Sequence, residues 1–223
     1  MIGFVVAMKK EGNLFLNNSI ITNQIQHAGK DIYIGKYTEK DFVLIISGIG
    51  KVNASMATQI LIDKYGVDKI INFGVAGGKT NSDLIAGDIT LISEVCQYDF
   101  DLSEIDDVSI GYMQDYDTIY YPTAYENIKN NTTFKINKCA SADRFTKNKY
   151  WLELIADLGG EVVDMECGAI AQVCHANNTP LYIIKLISDV DGSDESIFEQ
   201  YYNNVEEICK KIPQAIDELL SLI

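Results

Sequence analysis

The 223 residues suffice for one domain with a large core, and 47% hydrophobic with 22% charged residues is typical of a soluble globular protein. The formal net charge of −14 argues against nucleic acids and anionic membranes as partners, because both would repel the chain. Five cysteines without CxxC spacing and only two histidines predict reduced thiols in the cytoplasm and no metal site, and no apolar run is long enough to span a membrane.

Short apolar strands alternate with helices along the chain, which predicts a single α/β domain over residues 1–223. In chain order we expect a strand over 2–8, a hairpin over 31–47, a helix over 51–65, strands over 69–73 and 88–95, a short helix over 124–130, a strand over 135–140, a helix over 147–158, a strand over 161–164, a helix over 166–176, a strand over 181–191 and a helical segment over 197–222. Pro213 predicts a kink or break in the last segment.

The stretch over 181–191, LYIIKLISDVD, predicts a central strand. Only Lys185 interrupts its apolar run, which indicates burial on both faces. It ends in Ser188 and Asp189, before a loop over 191–196. Ligands of open α/β sheets bind outside the carboxyl ends of the strands. Asp189 is therefore either a turn residue or a carboxylate placed for acid–base chemistry, and its position alone leaves both possibilities open.

Two more acidic residues, Glu11 and Glu166, also follow predicted core strands. Because strand ends converge on one edge of a sheet, these two and Asp189 can share a pocket. Glu11 and Glu166 also have a structural explanation, since an acid in the first turn of a helix interacts favourably with the helix dipole. The combination indicates a site more strongly than any one of the three residues.

Two glycine-rich turns, 47–51 and 74–78, follow predicted strands and allow backbone N–H groups to approach a ligand closely. Neither contains GxxxxGK[ST] or GxGxxG, so a nucleoside triphosphate or dinucleotide is not supported and we expect no cofactor. Between them and the central strand, residues 99–121 are rich in aspartate and tyrosine and predict a long loop, and such loops are often functional.

Seven short segments, in order and in register, resemble the nucleoside phosphorylase and nucleosidase superfamily, and most closely its methylthioadenosine/S-adenosylhomocysteine nucleosidases. The resemblance implies a three-layer α/β/α sandwich around a mixed central sheet. It also implies a homodimer that cleaves the N-glycosidic bond of an adenine nucleoside. The segments are IGFVVAMKKE, SGIGKVNAS, INFGVAGG, the GD at 87–88, SADRF, VVDMECGAIAQVCH and ISDV.

The resemblance also implies a role for each candidate residue. Asp189, with Ser188 beside it, would protonate or hydrogen-bond N7 of the purine, and Glu11 would activate the attacking water. Glu166 would hold the ribose 2′-hydroxyl, with Met165 packed against the sugar. Phe145 would stack on the base, and the backbone at Thr146 would read its edge. Ala76 and Gly77 would line the base and sugar region, and Met8, Ile49 and Phe198 would form an apolar pocket for the 5′ substituent. A purely structural role for Phe145, as a core residue, is the alternative.

Composition favours water over phosphate as the nucleophile. Phosphorylases of this superfamily generally bind the phosphate dianion with arginines, whose planar fork suits phosphate. The chain has one arginine, Arg144, and Asn72 stands where many phosphorylases carry another. A purine nucleoside phosphorylase, a futalosine-type hydrolase with another 5′ group and a catalytically silent nucleoside-binding protein remain the alternatives.

The chain departs from the usual nucleosidase pattern at several positions. Val75 replaces a serine, Ala142 replaces a glycine, and Lys185 replaces an arginine near the nucleophile. Lysine keeps the positive charge of arginine but lacks the planar guanidinium that can donate two parallel hydrogen bonds. Lys185 therefore acts either at the nucleophile or as the partner of a buried carboxylate. The loop over 99–121 has little likeness to its counterpart, and we therefore expect substrate preference to differ from the typical member.

Overall fold

In the computed structural model, which describes residues 1–192 and 196–223, ten strands form one mixed sheet in the order β10-β6-β8-β9-β5-β1-β4-β3-β2, with β7 paired to β6. The strands are β1 (Ile2–Val6), β2 (Ile20–His27), β3 (Lys30–Tyr37), β4 (Lys40–Ile46), β5 (Lys69–Gly78), β6 (Ile89–Gln97), β7 (Tyr120–Pro122), β8 (Lys135–Ser141), β9 (Val162–Asp164) and β10 (Leu181–Val190). The α-helices are α1 (Lys9–Asn17), α2 (Lys51–Tyr65), α3 (Ser103–Asp106), α4 (Lys149–Asp157), α5 (Cys167–Ala176), α6 (Ile197–Cys209) and α7 (Ile212–Leu222), and Gln114–Tyr116 and Ala124–Asn127 are 3-10 turns.

Part of the sheet closes on itself. Strand β10 pairs with both β5 and β6, and β9 pairs with both β5 and β8, so these five strands form a ring of paired neighbours. Strands β1, β4, β3 and β2 extend outward from β5. Within the ring, β9 runs antiparallel to β5 and pairs with the end of β5 at Gly77 and Gly78. The residues after β9 therefore continue back along β5 toward Ala76.

Helices cover both faces of the sheet, which confirms the predicted three-layer arrangement. Successive residues of a strand point to opposite faces. In β1, Val5 faces the layer of α2 and α5, and Phe4 faces the layer of α1, α6 and α7. Strand β10 is buried along nearly its whole length, as its apolar run predicts. No helix among the described residues combines the length and the apolar character needed to cross a bilayer.

Two parts of the fold differ from the sequence-based prediction. Strand β2 was not predicted, and its side chains are almost all exposed at the outer edge of the sheet, so no apolar alternation marks it. The loop over 99–121 contains α3, a 3-10 turn and the beginning of β7. The break predicted at Pro213 is confirmed, because the helical segment divides into α6 and α7 and Pro213 lies in the first turn of α7, where its missing N–H costs nothing. The predicted loop over 191–196 includes residues 193–195, which lie outside the described residues.

Candidate active site

A cleft of about 350 Å³ opens where β1, β5 and β10 end. The predicted residues that line it are Met8, Glu11, Ile49, Ala76, Gly77, Phe145, Met165, Glu166, Ser188, Asp189 and Phe198. Thr146 lines a smaller adjoining cavity of about 60 Å³, which shares Gly77, Phe145 and Asp189 with the cleft. The three predicted acids therefore face one space, although they come from three distant parts of the chain.

Glu11 lies in the first turn of α1 and is 2% exposed. Its Oε2 accepts the backbone N–H of Met8 and its Oε1 accepts that of Val75, each at 2.9 Å. Burial raises the pKa of Glu11, and these two N–H donors oppose the rise because they stabilise the charged form. The structural and functional interpretations of Glu11 are thus compatible, since a residue of the first helical turn also lines the cleft.

Glu166 immediately precedes α5, and its Oε1 accepts the backbone N–H of Gly50 at 2.9 Å. Burial, and secondarily the nearby charge of Asp164, raise the pKa of Glu166 to about 7. Gly50 has a φ of 98°, and a β-carbon there would lie 2.9 Å from Oδ1 of Asp143. The second glycine of the 47–51 turn is therefore required by the backbone that positions Glu166. Glu166 reaches the cleft because β9 pairs antiparallel with the end of β5, and not because it follows a strand parallel to β1.

Asp189 lies near the end of β10, where the pairing with β5 shifts register between Ile187 and Asp189. Such a bulge redirects the side chains that follow it. The hydroxyl of Ser188 donates to Oδ1 of Asp189 at 2.6 Å. Burial raises the pKa of Asp189, against the effect of this hydrogen bond, and so favours the protonated carboxyl.

Lys185 pairs with a buried carboxylate beside the cleft. Its Nζ lies 2.9 Å from Oδ2 of Asp164, and both side chains are almost completely buried. Burial alone would lower the pKa of Lys185, but the facing charge of Asp164 raises it well above its usual value. Lys185 therefore remains a cation, and the structural pairing anticipated for it is the one observed.

One group of metal-ligand side chains occurs in the described part of the chain. The donor atoms of Cys139, Asp164 and Cys167 lie within 4.8 Å of one another, and all three residues are buried. Asp164 already faces the ammonium of Lys185 and accepts the backbone N–H of Cys167 at 3.0 Å. Burial also raises the pKa of the Cys139 and Cys167 thiols. The donor set therefore suits a hydrogen-bonded support for Asp164 better than a metal centre.

Four aromatic side chains line the cleft. The rings of Phe145 and Phe198 have their centroids 4.9 Å apart, and both residues are partly exposed. Tyr201 and Tyr202, one turn after Phe198 on α6, also line the cleft and were not predicted. The signal that would have found Tyr201 is its i+3 spacing from Phe198 on an amphipathic helix.

The fold and this cleft define the chain as a member of the phosphorylase superfamily, whose family model matches residues 1–221. Within that superfamily, a 5′-methylthioadenosine/S-adenosylhomocysteine nucleosidase of Hydrogenovibrio crunogenus is 34% identical over 82% of this chain and 85% of its own length. The chain therefore belongs to this nucleosidase family, which confirms the resemblance indicated by its motifs.

Solved structures show the same likeness. The futalosine hydrolase of Helicobacter pylori matches with a TM-score of 0.87 and 26% identity, over 100% of this chain and 97% of that one. The S-adenosylhomocysteine nucleosidase of Streptococcus pyogenes, in complex with 5-methylthiotubericidin, matches with a TM-score of 0.86 and 25% identity, over 98% and 95%.

Proposed function

We propose that this protein hydrolyses the N-glycosidic bond of adenine nucleosides of the 5′-methylthioadenosine/S-adenosylhomocysteine type, releasing free base and a 5-substituted ribose. One observation carries the proposal: Glu11, Glu166 and Asp189 line a single cleft, and burial raises the pKa of each. A general acid, a general base and a carboxylate for the sugar, placed in one cleft, are what glycosidic hydrolysis requires. The nucleosidase names of the curated relatives support the same reaction.

In this mechanism Asp189 gives its proton to N7 of the purine, so that the base leaves as a neutral molecule. Glu11 accepts a proton from the attacking water, which forms the new bond to the anomeric carbon. Glu166 accepts a hydrogen bond from the ribose 2′-hydroxyl and stabilises the positive charge that develops on the sugar. Ser188 holds Asp189 in place through its 2.6 Å hydrogen bond.

The remaining predicted residues shape the two ends of the substrate. Phe145 stacks on the base, the backbone at Thr146 reads its edge, and Met165 packs against the sugar. The adjoining cavity at Thr146 supports this placement of the base, because it shares Asp189 with the cleft. Ala76 and Gly77 form the wall of the base and sugar region, and Met8, Ile49 and Phe198 form the pocket for the 5′ substituent; all five line the cleft.

Water is favoured over phosphate as the nucleophile. The guanidinium of Arg144 lies 4.4 Å from the ring centroid of Trp151, and this cation–π contact supports a structural role. The side-chain amide of Asn72 donates to the carbonyl of Val5 at 2.9 Å. The guanidinium of Arg144 is thus held against Trp151, and Asn72 carries no charge, so neither observation supports a site for the phosphate dianion. A hydrolase with a futalosine-type 5′ group is the second candidate, favoured by the likeness to the Helicobacter pylori enzyme.

The decisive measurement is the release of free base from a panel of 5′-substituted adenine nucleosides, with and without phosphate. We expect release that does not depend on phosphate, with a ribose product and no ribose 1-phosphate. Asp189→Asn should remove most activity while the protein still folds, because an amide cannot deliver the proton. Near-parental rates in Asp189→Asn would exclude Asp189 from the mechanism. Binding without turnover in the parent would favour a silent nucleoside-binding protein.

We also propose a homodimer, a cytoplasmic location and a single domain over residues 1–223. The exposed apolar side chains of Ile49, Val52 and Met56, at and near the start of α2, support a surface covered by a second copy. The five cysteines are free and buried, as in a reducing compartment. Light scattering after gel filtration tests the dimer, fractionation of cells tests the location, and a single cooperative unfolding transition tests the domain.

A further inference from the structure

The start of α2 is held by carboxylates from two distant segments. The helix supplies no cap of its own, because its N-cap is Gly50 and its first turn contains no acid. Instead, Oε1 of Glu166 accepts the backbone N–H of Gly50 at 2.9 Å. Oδ1 of Asp143 accepts the next N–H, that of Lys51, at 2.7 Å. Two consecutive N–H groups therefore bind two different acids, as the unsatisfied N–H groups and the positive dipole end of a helix favour.

Asp99 joins these contacts to the loop over 99–121. Its Oδ1 lies 2.6 Å from Nζ of Lys51, and its Oδ2 accepts the backbone N–H of Asp143 at 3.0 Å. The side chains of Lys51 and Asp99 are each 19% exposed, so salt screens this ion pair less than one at the surface. Without this contact, a lysine at the first position of α2 would be unfavourable, because its charge opposes the positive end of the helix dipole.

Two of the segments that meet at Asp99 reach the cleft. The turn over 47–51 contributes Ile49 to the lining, and the segment after β8 contributes Phe145, two residues after Asp143. Asp99 itself is not among the residues that line the cleft or the adjoining cavity. It can therefore affect the reaction only through the residues that it holds.

We propose that Asp99 and Lys51 are positioning residues that hold Glu166 in place for the ribose 2′-hydroxyl. This inference rests on the proposed function, because it takes Glu166 as the group that binds this hydroxyl. Without the Asp99 carboxylate, the side chain of Lys51 and the N–H of Asp143 would both lose a partner, and the turn around Gly50 would lose its link to them. Glu166 would shift with that turn, and a displacement of about 1 Å suffices to weaken its contact in the transition state.

The test compares 5′-methylthioadenosine with its 2′-deoxy analogue. In the parent, kcat/KM should be higher for the riboside, because only the riboside presents a hydroxyl to Glu166. Asp99→Ala should lower the ratio of riboside to deoxyriboside kcat/KM about tenfold, the value of one hydrogen bond to a charged group. Asp99→Asn keeps the shape and an acceptor, and Lys51→Met keeps the contact between Asp99 and Asp143, so each should lower the ratio by a smaller factor.

A double-mutant cycle with Glu166→Gln assigns the effect to Glu166. In the Glu166→Gln background, Asp99→Ala should no longer lower the ratio, because the group that it positions has already lost its charge. Asp101→Ala is the matched control. Asp101 is an exposed acid of the same loop, and its Oδ1 accepts the N–H and the hydroxyl of Ser103 at 2.9 Å and 2.6 Å. Its removal should leave the ratio unchanged.

The ratio separates a positioning role from a general loss of stability, which would slow both nucleosides equally. A ratio in Asp99→Ala equal to that of the parent overturns the inference, as does an equal fall in Asp101→Ala or an undiminished fall in the Glu166→Gln background. If Asp99→Ala does not fold, Asp99→Asn and Lys51→Met decide by the same criterion. A parent that processes both nucleosides equally removes the role of Glu166 and this inference, while hydrolysis stands. If the parent releases adenine from neither compound, the proposed function itself fails.

Discussion

The ion pair between Lys185 and Asp164 supports a direct test by Lys185→Met. The lysine side chain is 2% exposed and that of Asp164 1% exposed, with Nζ 2.9 Å from Oδ2. Methionine fills similar volume without charge, so the substitution isolates the loss of the ammonium. Asp164 would keep the backbone N–H of Cys167 at 3.0 Å as a partner, but it would become a buried carboxylate without a counter-ion.

The size of the effect follows from burial. Removing one member of a buried ion pair costs about 3–5 kcal/mol of the free energy of unfolding. For a domain of this size each kcal/mol corresponds to about 2–4 °C in Tm, so we expect a fall of roughly 10 °C. Lys36→Met is the matched control, because Lys36 and Asp41 form an exposed pair at 3.7 Å, which is worth less than about 1 kcal/mol.

The free energy of unfolding should change with pH in opposite directions in the parent and in Lys185→Met. In the parent, burial acts to raise the pKa of Asp164, but pairing with Lys185 lowers it overall, so this contribution to stability is present above the unfolded-state pKa and lost as pH falls. In Lys185→Met, burial without the cation raises the pKa of Asp164, and stability is instead lost as pH rises. The gap in free energy of unfolding between parent and variant should therefore widen from pH 5 to pH 8.

Urea denaturation at several pH values measures this gap. The double variant Asp164→Asn with Lys185→Met should recover part of the stability, since it removes the unpaired charge along with its partner. A Lys185→Met protein as stable as Lys36→Met at every pH would refute the reasoning, because it would mean that the buried pair contributes no more than an exposed one.

Three shorter predictions concern the site. With the pKa of Glu166 at about 7, kcat/KM should rise with pH through that value as the carboxylate ionises, and Glu166→Gln should remove this acid limb. Gly74→Ala should lower kcat about a hundredfold, because the added β-carbon would lie 2.7 Å from Oε1 of Glu11 and would displace that carboxylate. Steady-state rates at saturating nucleoside test this prediction. Gly50→Ala should raise KM and lower the Tm, because it strains a φ of 98° and meets Asp143; kinetics and a thermal melt check both effects.

The parts of the fold that could be predicted are those in which a short stretch of sequence by itself determines both the secondary structure and the burial. Strand β10 was predictable because a short apolar run rich in β-branched residues is typical of a buried strand, and nearly all of it is buried in the structure. The positions of Glu11 and Asp189 followed from the ends of β1 and β10, which run parallel on either side of β5. In both cases one short segment carries the information.

Features that depend on contacts between distant segments were not predictable. Strand β2 is exposed on nearly every residue, so only its pairing with β3 defines it. The partner of Lys185 was left open because Asp164 comes from β9, and no local pattern joins the two residues. Lys10 belongs to a matching motif, yet its contact with Tyr201 joins residues that are 191 positions apart.

The hydrogen bonds around the acids indicate how the protons are divided among them. Glu11 accepts hydrogen bonds from two backbone N–H groups, and the positive charge of Lys185 acts on it as well. All three interactions favour its ionised form. Among the described residues Asp189 accepts one hydrogen bond, from Ser188, and the charge of Asp191 opposes its ionisation. When substrate displaces water, the pKa of the less stabilised carboxyl rises further. We therefore expect the proton to reside on Asp189 and the negative charge on Glu11, the distribution that an acid at the base and a base at the water require.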